Sequence, residues 1–567
     1  MDLRMAVQTY VDELCAELGL CPVPQARLIQ NSSSKRSCGD FNIFIRQPSF
    51  DCLRPHMFRL VKELPRVSES WALPIERVGY SENSAYLELF LKRVPAFQRL
   101  FQAIGSFRDD ADIVSSSRTP NSCLPSKKLK DFDSVAAGRN SCTSNSNNID
   151  KNQRLLVIVH APDQPPFDHR RSEMLALYMR TQYEACGFQV HEVKDIYLFD
   201  EDSPLSKKDY ENSEYFDAAK QAFDLRRYLE DRSLETELDA NLGAVYLNSP
   251  AVSLARALAS AARACIQATT TNLDDVLLCH VAPQNKAYVQ QQAGVLLEIL
   301  ECLKQREDQP ARQAFVIHGG TDARQNSVDD YLQQIYDYVS NSLRHRRLRA
   351  DEGSPLCSMV VRVLADTKIT FELLAARQMA RLKISPLSSK DDTLEGGGGG
   401  GGVASFNGKG GIFVQYTCAR LAVLLSNYDC AVADGRYPTC QPWSELHAED
   451  IDLSALSLDF DWLLWRVMFR CQTALERGST LPCFLSNEGG TGERRVFKFD
   501  LCAHSVCEAL AAACVQFSTY YSKVRVLVEA QPHLIESLKA RIFLLVSLRS
   551  LLHRGLQMLG LQPVQRM

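Results

Sequence analysis

Two stretches of this 567-residue chain have compositions that cannot build a packed core, and they divide it into three parts. Residues 108–153 are rich in serine and asparagine, as in SCTSNSNNID, and we expect them to form a disordered linker. Residues 396–411 begin with seven consecutive glycines and predict a second, glycine-rich linker. The remaining parts, residues 1–107, 154–395 and 412–567, are each long enough to fold as a domain.

The bulk composition excludes several classes of protein. With 64 basic and 68 acidic residues the net charge is -4, so a nucleic-acid binder of this composition must use a local basic face. The 19 cysteines include no C-x-x-C pair, which indicates reduced thiols and no zinc site. No apolar stretch is long enough to span a membrane. We therefore expect a cytoplasmic protein, with the nucleus as the alternative location.

The hydrophobic patterns predict a different fold class for each part. The first part alternates helices with short strands such as FNIFI and SAYLELFLKRV. The middle part contains the buried-strand pattern RLLVIVHAP, a helix from about Ser172, and the further strand candidates GAVYLNS, DVLLCHVAP and QAFVIHGG. From Ile412 onward the period is helical almost throughout. The prediction is an α+β domain, a Rossmann-like α/β domain and a helical domain. No glycine-rich loop directly follows a strand, so we expect no bound nucleotide or other cofactor.

The helix GGIFVQYTCARLAVLL carries polar groups that raise a functional question. Val414, Cys418, Leu421 and Leu425 recur at helical spacing and predict a core stripe, whereas a second face carries further aromatic and cationic residues. That second face either forms an internal hydrogen-bonded cluster or stacks on unpaired RNA bases and contacts phosphate. Gln415 fits a structural role and a binding role equally well.

A second basic and aromatic region lies near the C-terminus. Residues 515–567 contain seven Lys or Arg side chains and two Glu, a local excess of five positive charges, and the run accompanies the aromatic residues Phe517, Tyr520 and Tyr521. The candidate RNA contacts of both helical regions are Phe413, Gln415, Tyr416, Arg420, Phe517, Tyr520, Tyr521, Lys523, Arg525, Lys539 and Arg541. A short basic run offers either RNA-backbone contacts or a solvated helix end, and its residues are Arg344, Arg346, Arg347 and Arg349.

Three C-terminal segments resemble one known domain. GGIFVQYTCARL is similar to the Tyr-Val-Gln-Tyr-Ala-His-Ala-Arg segment that opens the DALR-type anticodon-binding domain of arginyl-tRNA synthetases, with Cys418 replacing the usual histidine. LAAACVQFSTYYSKVRVL and LRSLLHRGLQMLGLQPVQRM are similar to later helices of the same domain. The resemblance implies a helical domain that binds an anticodon loop.

The first part of the chain resembles the added N-terminal domain of these synthetases. The segments CGDFNIF and ERVGYSENSAYLELFL carry that similarity. In the family, an aromatic residue and an asparagine of this domain contact the D-loop of the tRNA. Tyr86 keeps the aromatic and is a candidate tRNA contact, but Glu88 replaces the asparagine. Because a carboxylate repels phosphate, we do not expect D-loop contact by the means that the family uses.

The middle part resembles the catalytic domain of the synthetases but departs from its two ATP-binding signatures. PPFDHRRSEMLALYM is similar to the segment that begins with His-Ile-Gly-His, with Pro166 and Asp168 in place of the first histidine and the glycine. HGGTDARQNSVDDYL is similar to the mobile lysine loop, with Asp322, Arg324 and Gln325 near positions of lysines. Adenylate formation needs both signatures to stabilise phosphate charge, so we expect a pseudo-synthetase without catalytic residues.

The complete pattern resembles the DALR anticodon-binding domain-containing proteins, vertebrate non-catalytic relatives of arginyl-tRNA synthetases. That resemblance implies an adaptor that binds arginine tRNA and presents it to the methyltransferase that makes 3-methylcytosine in the anticodon loop. Two alternatives remain at this point. One is an active arginyl-tRNA synthetase-like ligase, and the other is a protein scaffold that binds no RNA.

Overall fold

The computed structural model of the chain describes residues 3–17, 26–31, 38–45, 56–80, 86–105, 154–194, 196, 213–232, 238–239, 241–269, 276–299, 312–323, 327–345, 355–384, 410–438, 447–479 and 496–565. The predicted linker at 108–153 lies outside the described residues, and of the predicted linker at 396–411 only Gly410 and Gly411 are described. None of the described helices is long and apolar enough to cross a bilayer.

The N-terminal domain is a four-stranded antiparallel sheet with helices packed on one face. The strands lie in the order β1-β2-β4-β3, and the predicted strand FNIFI is confirmed as β2. The side chains of Phe41 and Ile43 in β2 and of the odd-numbered residues of β4 are buried, whereas Asn42, Phe44 and the even-numbered residues of β4 are partly exposed. The elements are α1 (Leu3–Glu17), β1 (Ala26–Gln30), β2 (Phe41–Ile45), α2 (Met57–Val67), β3 (Ile75–Tyr80), β4 (Tyr86–Leu91) and α3 (Arg93–Ile104).

The middle domain is built on a parallel sheet, as the buried-strand patterns predict. Its strand order is β14-β11-β10-β5-β6, where β14 is Val496–Lys498 from the C-terminal part of the chain, and every neighbouring pair in it is parallel. The helix after β5 begins at Pro166, earlier than the predicted Ser172, because proline is well suited to a first helical turn. The elements of the main sheet and its helices are β5 (Leu155–His160), α4 (Pro166–Ala185), β6 (Gln189–Val193), α5 (Leu225–Arg232), α6 (Pro250–Thr269), β10 (Val276–Pro283), α7 (Gln284–Ile299), β11 (Arg312–His318), α8 (Val328–His345) and α9 (Pro355–Leu374).

The segment GAVYLNS does not join the parallel sheet. It forms a strand of a separate three-stranded antiparallel sheet, and only the central residue of that strand, Val245, is buried. Such alternation is typical of a half-exposed surface sheet, whereas a central parallel strand is buried on both faces. This sheet comprises β7 (Phe216–Asp217), β8 (Ala222–Asp224) and β9 (Ala244–Tyr246), and a two-stranded pair comprises β12 (Thr321–Ala323) and β13 (Leu382–Ile384).

The C-terminal domain is helical but gives one strand to the middle domain. Its long helices are α10 (Gly411–Ala433), α11 (Asp459–Gly478), α12 (Ala503–Lys523) and α13 (Pro532–Met558). The strand β14 (Val496–Lys498) pairs with β11 at the edge of the parallel sheet, which the helical period did not predict. The side chain of Gln378 reinforces this junction, because its amide donates to the Ile317 and Phe499 carbonyls and its oxygen accepts from the Leu501 amide. The two domains are therefore interlocked.

A buried aspartate joins the N-terminal sheet to α11. Asp40 is 3% exposed, and its two carboxylate oxygens accept from the Leu91 backbone amide and the Trp462 indole, each at 2.9 Å. The Arg466 Nε lies 3.4 Å from the same carboxylate, and the Arg466 Nη2 donates to the Gly39 carbonyl at 3.0 Å. Burial raises the pKa of Asp40, and these hydrogen bonds and the arginine charge oppose that rise. Asp40, Trp462 and Arg466 are called the Asp40 junction below.

Breaking the Asp40 junction should destabilise the whole chain. We expect Arg466→Met to cost about 3–5 kcal/mol, because it leaves a buried carboxylate without its cation. The matched control is Arg470→Met, one turn along α11, whose partner Glu508 is largely exposed and whose loss should cost about 1 kcal/mol or less. The measurement is the urea midpoint of the full-length chain. Equal midpoints for the two variants would contradict a structural role for the junction.

Candidate nucleic-acid interface

The start of α10 is fixed by a close approach to α9. A Cβ placed on Gly411 would lie 2.7 Å from side-chain atoms of Thr367 and Phe371, so only glycine lets the two helices meet there. The predicted core stripe of α10 is confirmed, since Val414, Cys418 and Leu421 are fully buried and Leu425 is 5% exposed. This packing determines which residues of the helix face outward.

Three of the predicted side chains come together on the surface. Tyr416 is 40% exposed, and Arg420 lies one turn further along α10. The guanidinium carbon of Arg420 lies 4.1 Å from the ring centroid of Tyr521, which projects from α12 and is 37% exposed. We call these three residues the tyrosine–arginine cluster. A cation held over one aromatic ring beside a second exposed ring can accept a stacked base and a phosphate.

Gln415 faces away from this cluster and is structural. It is fully buried, its amide nitrogen donates to the Thr367 hydroxyl at 3.0 Å and the Gln562 carbonyl at 2.8 Å, and its oxygen accepts from the Val564 amide at 2.9 Å. Both amide hydrogens and one lone pair of the oxygen are used inside the protein, and the side chain has no surface that RNA could reach. The binding role predicted for Gln415 is therefore wrong, and the residue ties α10 to α9 and to the end of the chain.

Three further predicted contacts also belong to the core. Phe517 is 1% exposed and Tyr520 is fully buried, with its hydroxyl donating to Asp461 at 3.0 Å. Burial is the main cause that raises the pKa of Tyr520. The Arg541 side chain is 13% exposed, and its Nε lies 3.9 Å from the same Asp461 carboxylate. Stacking on Phe517 or Tyr520 is excluded by their burial, and the charge of Arg541 is directed to a buried acid rather than to phosphate.

The remaining predicted residues lie at the surface or outside the described residues. Lys523 and Arg525 are exposed at the end of α12, and Lys539 and Phe413 are half-buried, with Lys539 paired to Glu536 at 2.9 Å. Tyr86 is half-buried on the N-terminal sheet, 5.2 Å from the ring of Phe44. Nothing is described for the side chains of the predicted basic run, which comprises Arg344, Arg346, Arg347 and Arg349.

The part of the middle domain that resembles the ATP-binding segments is filled by its own side chains. Arg171 is 1% exposed and donates to the carbonyls of Gly320, Ala380 and Arg377 at 3.3, 2.8 and 3.2 Å. Burial lowers the pKa of Arg171 to about 10, so the group remains charged at neutral pH. Asp168 is 3% exposed and accepts from the Thr321 hydroxyl at 2.7 Å. These contacts join the start of α4 to the segment after β11.

Two further contacts hold the start of α4 and the segment after β11 in place. The Ser172 hydroxyl donates to Gln164 at 2.7 Å and lies 2.9 Å from the ring nitrogen of His318, whose pKa burial lowers to about 3. A Cβ on Gly319 would lie 2.2 Å from the Met379 carbonyl, so the two backbones are in close contact. No spacing rule in the sequence indicates this network. Among the residues that the structure describes, no group of His, Cys, Asp or Glu is placed to hold a metal ion.

The comparisons with known proteins agree with the architecture. Residues 414–567 match the family model of the DALR anticodon binding domain. The chain is 32% identical over 209 residues to DALR anticodon-binding domain-containing protein 3 of Danio rerio, a match that covers 37% of this chain and 33% of that protein. It is 27% identical over 301 residues to the Rattus norvegicus protein of the same name, covering 52% and 49%. The matched region thus spans between a third and a half of these curated relatives.

A solved structure covers the entire chain. Arginyl-tRNA synthetase from Plasmodium falciparum superimposes with a TM-score of 0.54 at 12% identity, over 100% of this chain and 99% of that one. At this identity the likeness concerns the fold alone. Together with the domain match it confirms the predicted fold class, and the matches to the DALR domain and to the DALR domain-containing proteins confirm the predicted resemblance.

Adjacent substitutions on α10 should separate folding from surface function. We expect Gln415→Ala to lower the stability of the chain by about 2 kcal/mol or more, because it leaves buried groups on two neighbouring segments without partners. Tyr416→Ala, the control one residue away, should change stability by less than about 1 kcal/mol because the ring is partly solvated. Thermal unfolding of the full-length variants measures both. A larger loss for Tyr416→Ala would reverse the assignment of the two faces.

Proposed function

We propose that this chain, whose residues 414–567 form a DALR anticodon-binding domain on an arginyl-tRNA synthetase fold, is a non-catalytic adaptor that binds arginine tRNA. The observation that carries the proposal is the tyrosine–arginine cluster. It lies on the helix that opens the anticodon-binding domain, and it combines exposed aromatic area with a cation in a preformed position. Unpaired bases of an RNA loop are bound by such surfaces.

The basic residues around the cluster support a contact with the RNA backbone. Lys523 and Arg525 follow Tyr521 at the end of α12 and are exposed, whereas most other charges of the domain are paired or half-buried. A protein with a net charge of -4 attracts RNA only where cations concentrate locally. The cluster and these two residues form the one surface of α10 and α12 on which stacking and phosphate contact can occur together.

A ligase activity is the less favoured function. Adenylate formation needs cationic and backbone N–H groups directed at ATP phosphates. The guanidinium of Arg171 is instead committed to three backbone carbonyls, and the Asp168 carboxylate is buried beside it. A phosphate in this position would have to displace those contacts. A scaffold that binds no RNA is also less favoured, because it would leave the exposed rings of Tyr416 and Tyr521 unexplained.

An adaptor without chemistry of its own requires a separate modifying enzyme. We infer that this enzyme is the methyltransferase that makes 3-methylcytosine in the anticodon loop, as the resemblance implies. The middle domain offers a folded surface for that enzyme while the C-terminal domain holds the tRNA. The described cysteines are free thiols, which fits the reducing environment of the cytoplasm or, as the alternative location, the nucleus.

Binding of arginine tRNA by the full-length chain tests the cluster. We expect Tyr416→Ala to weaken binding by on the order of 1–3 kcal/mol, which is what the stacking of one base on an aromatic ring contributes to the binding free energy. Affinity should fall steeply as salt rises, because phosphate contacts release counterions. Tyr246→Ala, which removes a 56% exposed tyrosine from the small sheet of the middle domain, is the matched control and should bind normally. Fluorescence anisotropy with an arginine tRNA transcript measures these affinities.

The full-length chain is required because α10 and β14 depend on the middle domain for hydrogen bonds. If Tyr416→Ala binds as tightly as the wild type and unfolds at the same temperature, the cluster is not the RNA surface.

The modification state of cellular tRNA tests the adaptor role. Cells that lack the protein should lose 3-methylcytosine from a subset of arginine tRNAs, because the methyltransferase then meets those tRNAs without an adaptor. Serine and threonine tRNAs should keep the modification, and arginine charging should stay normal. Sequencing of the modified tRNAs measures the first effect and acid gels measure charging. Re-expression of the wild type, but not of Tyr416→Ala, should restore the modification.

If 3-methylcytosine persists on every arginine tRNA in these cells, the adaptor role is wrong, and only a tRNA-binding role that does not involve the methyltransferase remains. A loss of arginine charging would instead favour the ligase.

A further inference from the structure

A β-turn at the end of α9 carries an exposed methionine that the proposed function does not use. In this turn, Arg377–Ala380, the Ala380 amide donates to the Arg377 carbonyl at 2.9 Å. Met379 lies within the turn and is 51% exposed. A single exposed apolar side chain is common on protein surfaces and indicates nothing by itself. What distinguishes the Met379 turn is the way in which its backbone is held.

A buried arginine grips the turn on both sides of the methionine. Arg171 is 1% exposed, and its guanidinium donates to the Arg377 carbonyl at 3.2 Å and to the Ala380 carbonyl at 2.8 Å. The Met379 carbonyl is in close contact with Gly319, where a Cβ would lie 2.2 Å from it. The carbonyl groups of the turn are therefore directed toward the protein interior, and the Met379 side chain is directed to solvent.

The remaining residue of the turn, Gln378, fixes it from the inside. Its side chain is 7% exposed and binds the backbone of β11 and of the segment after β14. Its own carbonyl accepts from the Gly319 amide at 2.9 Å. Contacts with α4, β11 and the C-terminal part of the chain thus determine where Met379 lies.

Cationic side chains surround the methionine. Arg377 and Arg381 lie two residues away on either side of Met379, and both are exposed. Lys383 is exposed as well, and its neighbour on β12 is the exposed acid Asp322. Within the described part of the chain, no ion pair involves any of these three cations. The turn therefore presents an apolar side chain among positive charges that the protein itself does not neutralise.

We infer that the Met379 turn is a docking knob for a protein partner, in which Met379 enters an apolar pocket of the partner and Arg377 and Arg381 pair with acidic side chains around that pocket. Methionine and arginine are both enriched in protein–protein interfaces. A group that is already held in its bound position loses less conformational freedom on binding, which favours affinity. The inference rests on the proposed function, because the partner that we assign to the knob is the methyltransferase.

The methionine favours a protein over RNA as the occupant. The cations alone would suit phosphate groups equally well. A thioether, however, has no aromatic face for stacking on a base, and it gains free energy by leaving water for an apolar pocket. Proteins offer such pockets, whereas the exposed surface of RNA consists of phosphates, sugars and base edges. The combination of Met379 with its flanking arginines therefore fits a pocket with an acidic rim.

Binding of the full-length chain to the purified methyltransferase tests the inference, measured by biolayer interferometry without tRNA and again with saturating arginine tRNA. We expect Met379→Glu to weaken this binding at least tenfold, because it places a carboxylate in an apolar pocket surrounded by acids. Arg381→Ala should weaken binding less and reduce its salt dependence, because charges at an interface rim act mainly through long-range attraction.

The matched control is Met359→Glu, the same change at a 58% exposed methionine near the opposite end of α9, which should bind normally. Thermal unfolding verifies that each variant is folded. Met379→Ser is a second variant in case Met379→Glu unfolds, and it should also weaken binding because it removes the apolar group.

The other possible occupants give different results. Arg381→Ala should bind an arginine tRNA transcript as tightly as the wild type in the absence of the methyltransferase. If it binds tRNA more weakly and with a smaller salt dependence, the cations contact phosphate and the inference is wrong. Self-association of the wild type that Met379→Glu abolishes would identify a second copy of the chain as the occupant and would also overturn the inference.

Failure of the knob can be distinguished from failure of the proposed function. If the wild type binds the methyltransferase and a folded Met379→Glu protein binds it equally well, the knob is wrong and the adaptor role stands. Equal losses for Met379→Glu and Met359→Glu also contradict the knob, because the added charge rather than its position is then the cause. If the wild type binds the methyltransferase neither alone nor with tRNA, both proposals fail.

Discussion

The position of the N-terminal sheet relative to the helical domain depends on the Asp40 junction. One carboxylate, 3% exposed, holds a backbone amide of β4, the indole of Trp462 and the guanidinium of Arg466. A buried charge of this kind is tolerated only where its partners are kept in place, so the junction enforces the geometry that satisfies it. The stacked rings of Trp462 and Trp465, with centroids 4.2 Å apart, extend the contact toward α3. The N-terminal sheet and the helical domain are therefore joined by buried polar and aromatic contacts on this side of the molecule.

The middle domain and the C-terminal domain share a β-sheet and are therefore interlocked. The strand β14 comes from the C-terminal part of the chain yet closes an edge of the parallel sheet, and Gln378 binds backbone groups on both sides of that junction. Arg171 and Ser172 fix α4 to the segment after β11 at the edge where open α/β sheets commonly bind ligands. The polar side chains at this edge are therefore used for contacts within the protein.

Periodicity predicted which faces of the helices are buried but not which polar residues are buried with them. The stripe from Val414 to Leu425 and the exposure of Tyr416 follow from helical spacing, and the structure places them accordingly. For Gln415 the sequence left a structural and a binding role open, and Tyr520 was predicted as an RNA contact. In the structure each has a partner far along the chain, Val564 and Asp461 respectively. No local pattern encodes such a partner. Of the antiparallel sheet, the strands β2 and β4 were predicted, whereas the pairing of Phe44 with Tyr86 emerged only from the register that aligns them.

Glu88 shows how the structure refines what one substitution implies. From the sequence, an acid at this position argues against D-loop contact, because a carboxylate repels phosphate. In the structure the Glu88 carboxylate lies over Gly79 of β3, and Arg77, Lys92 and Arg93 line the adjoining cleft. Acidic and cationic side chains therefore lie side by side at this edge of the N-terminal sheet, so the sign of one residue does not give the charge of the whole surface.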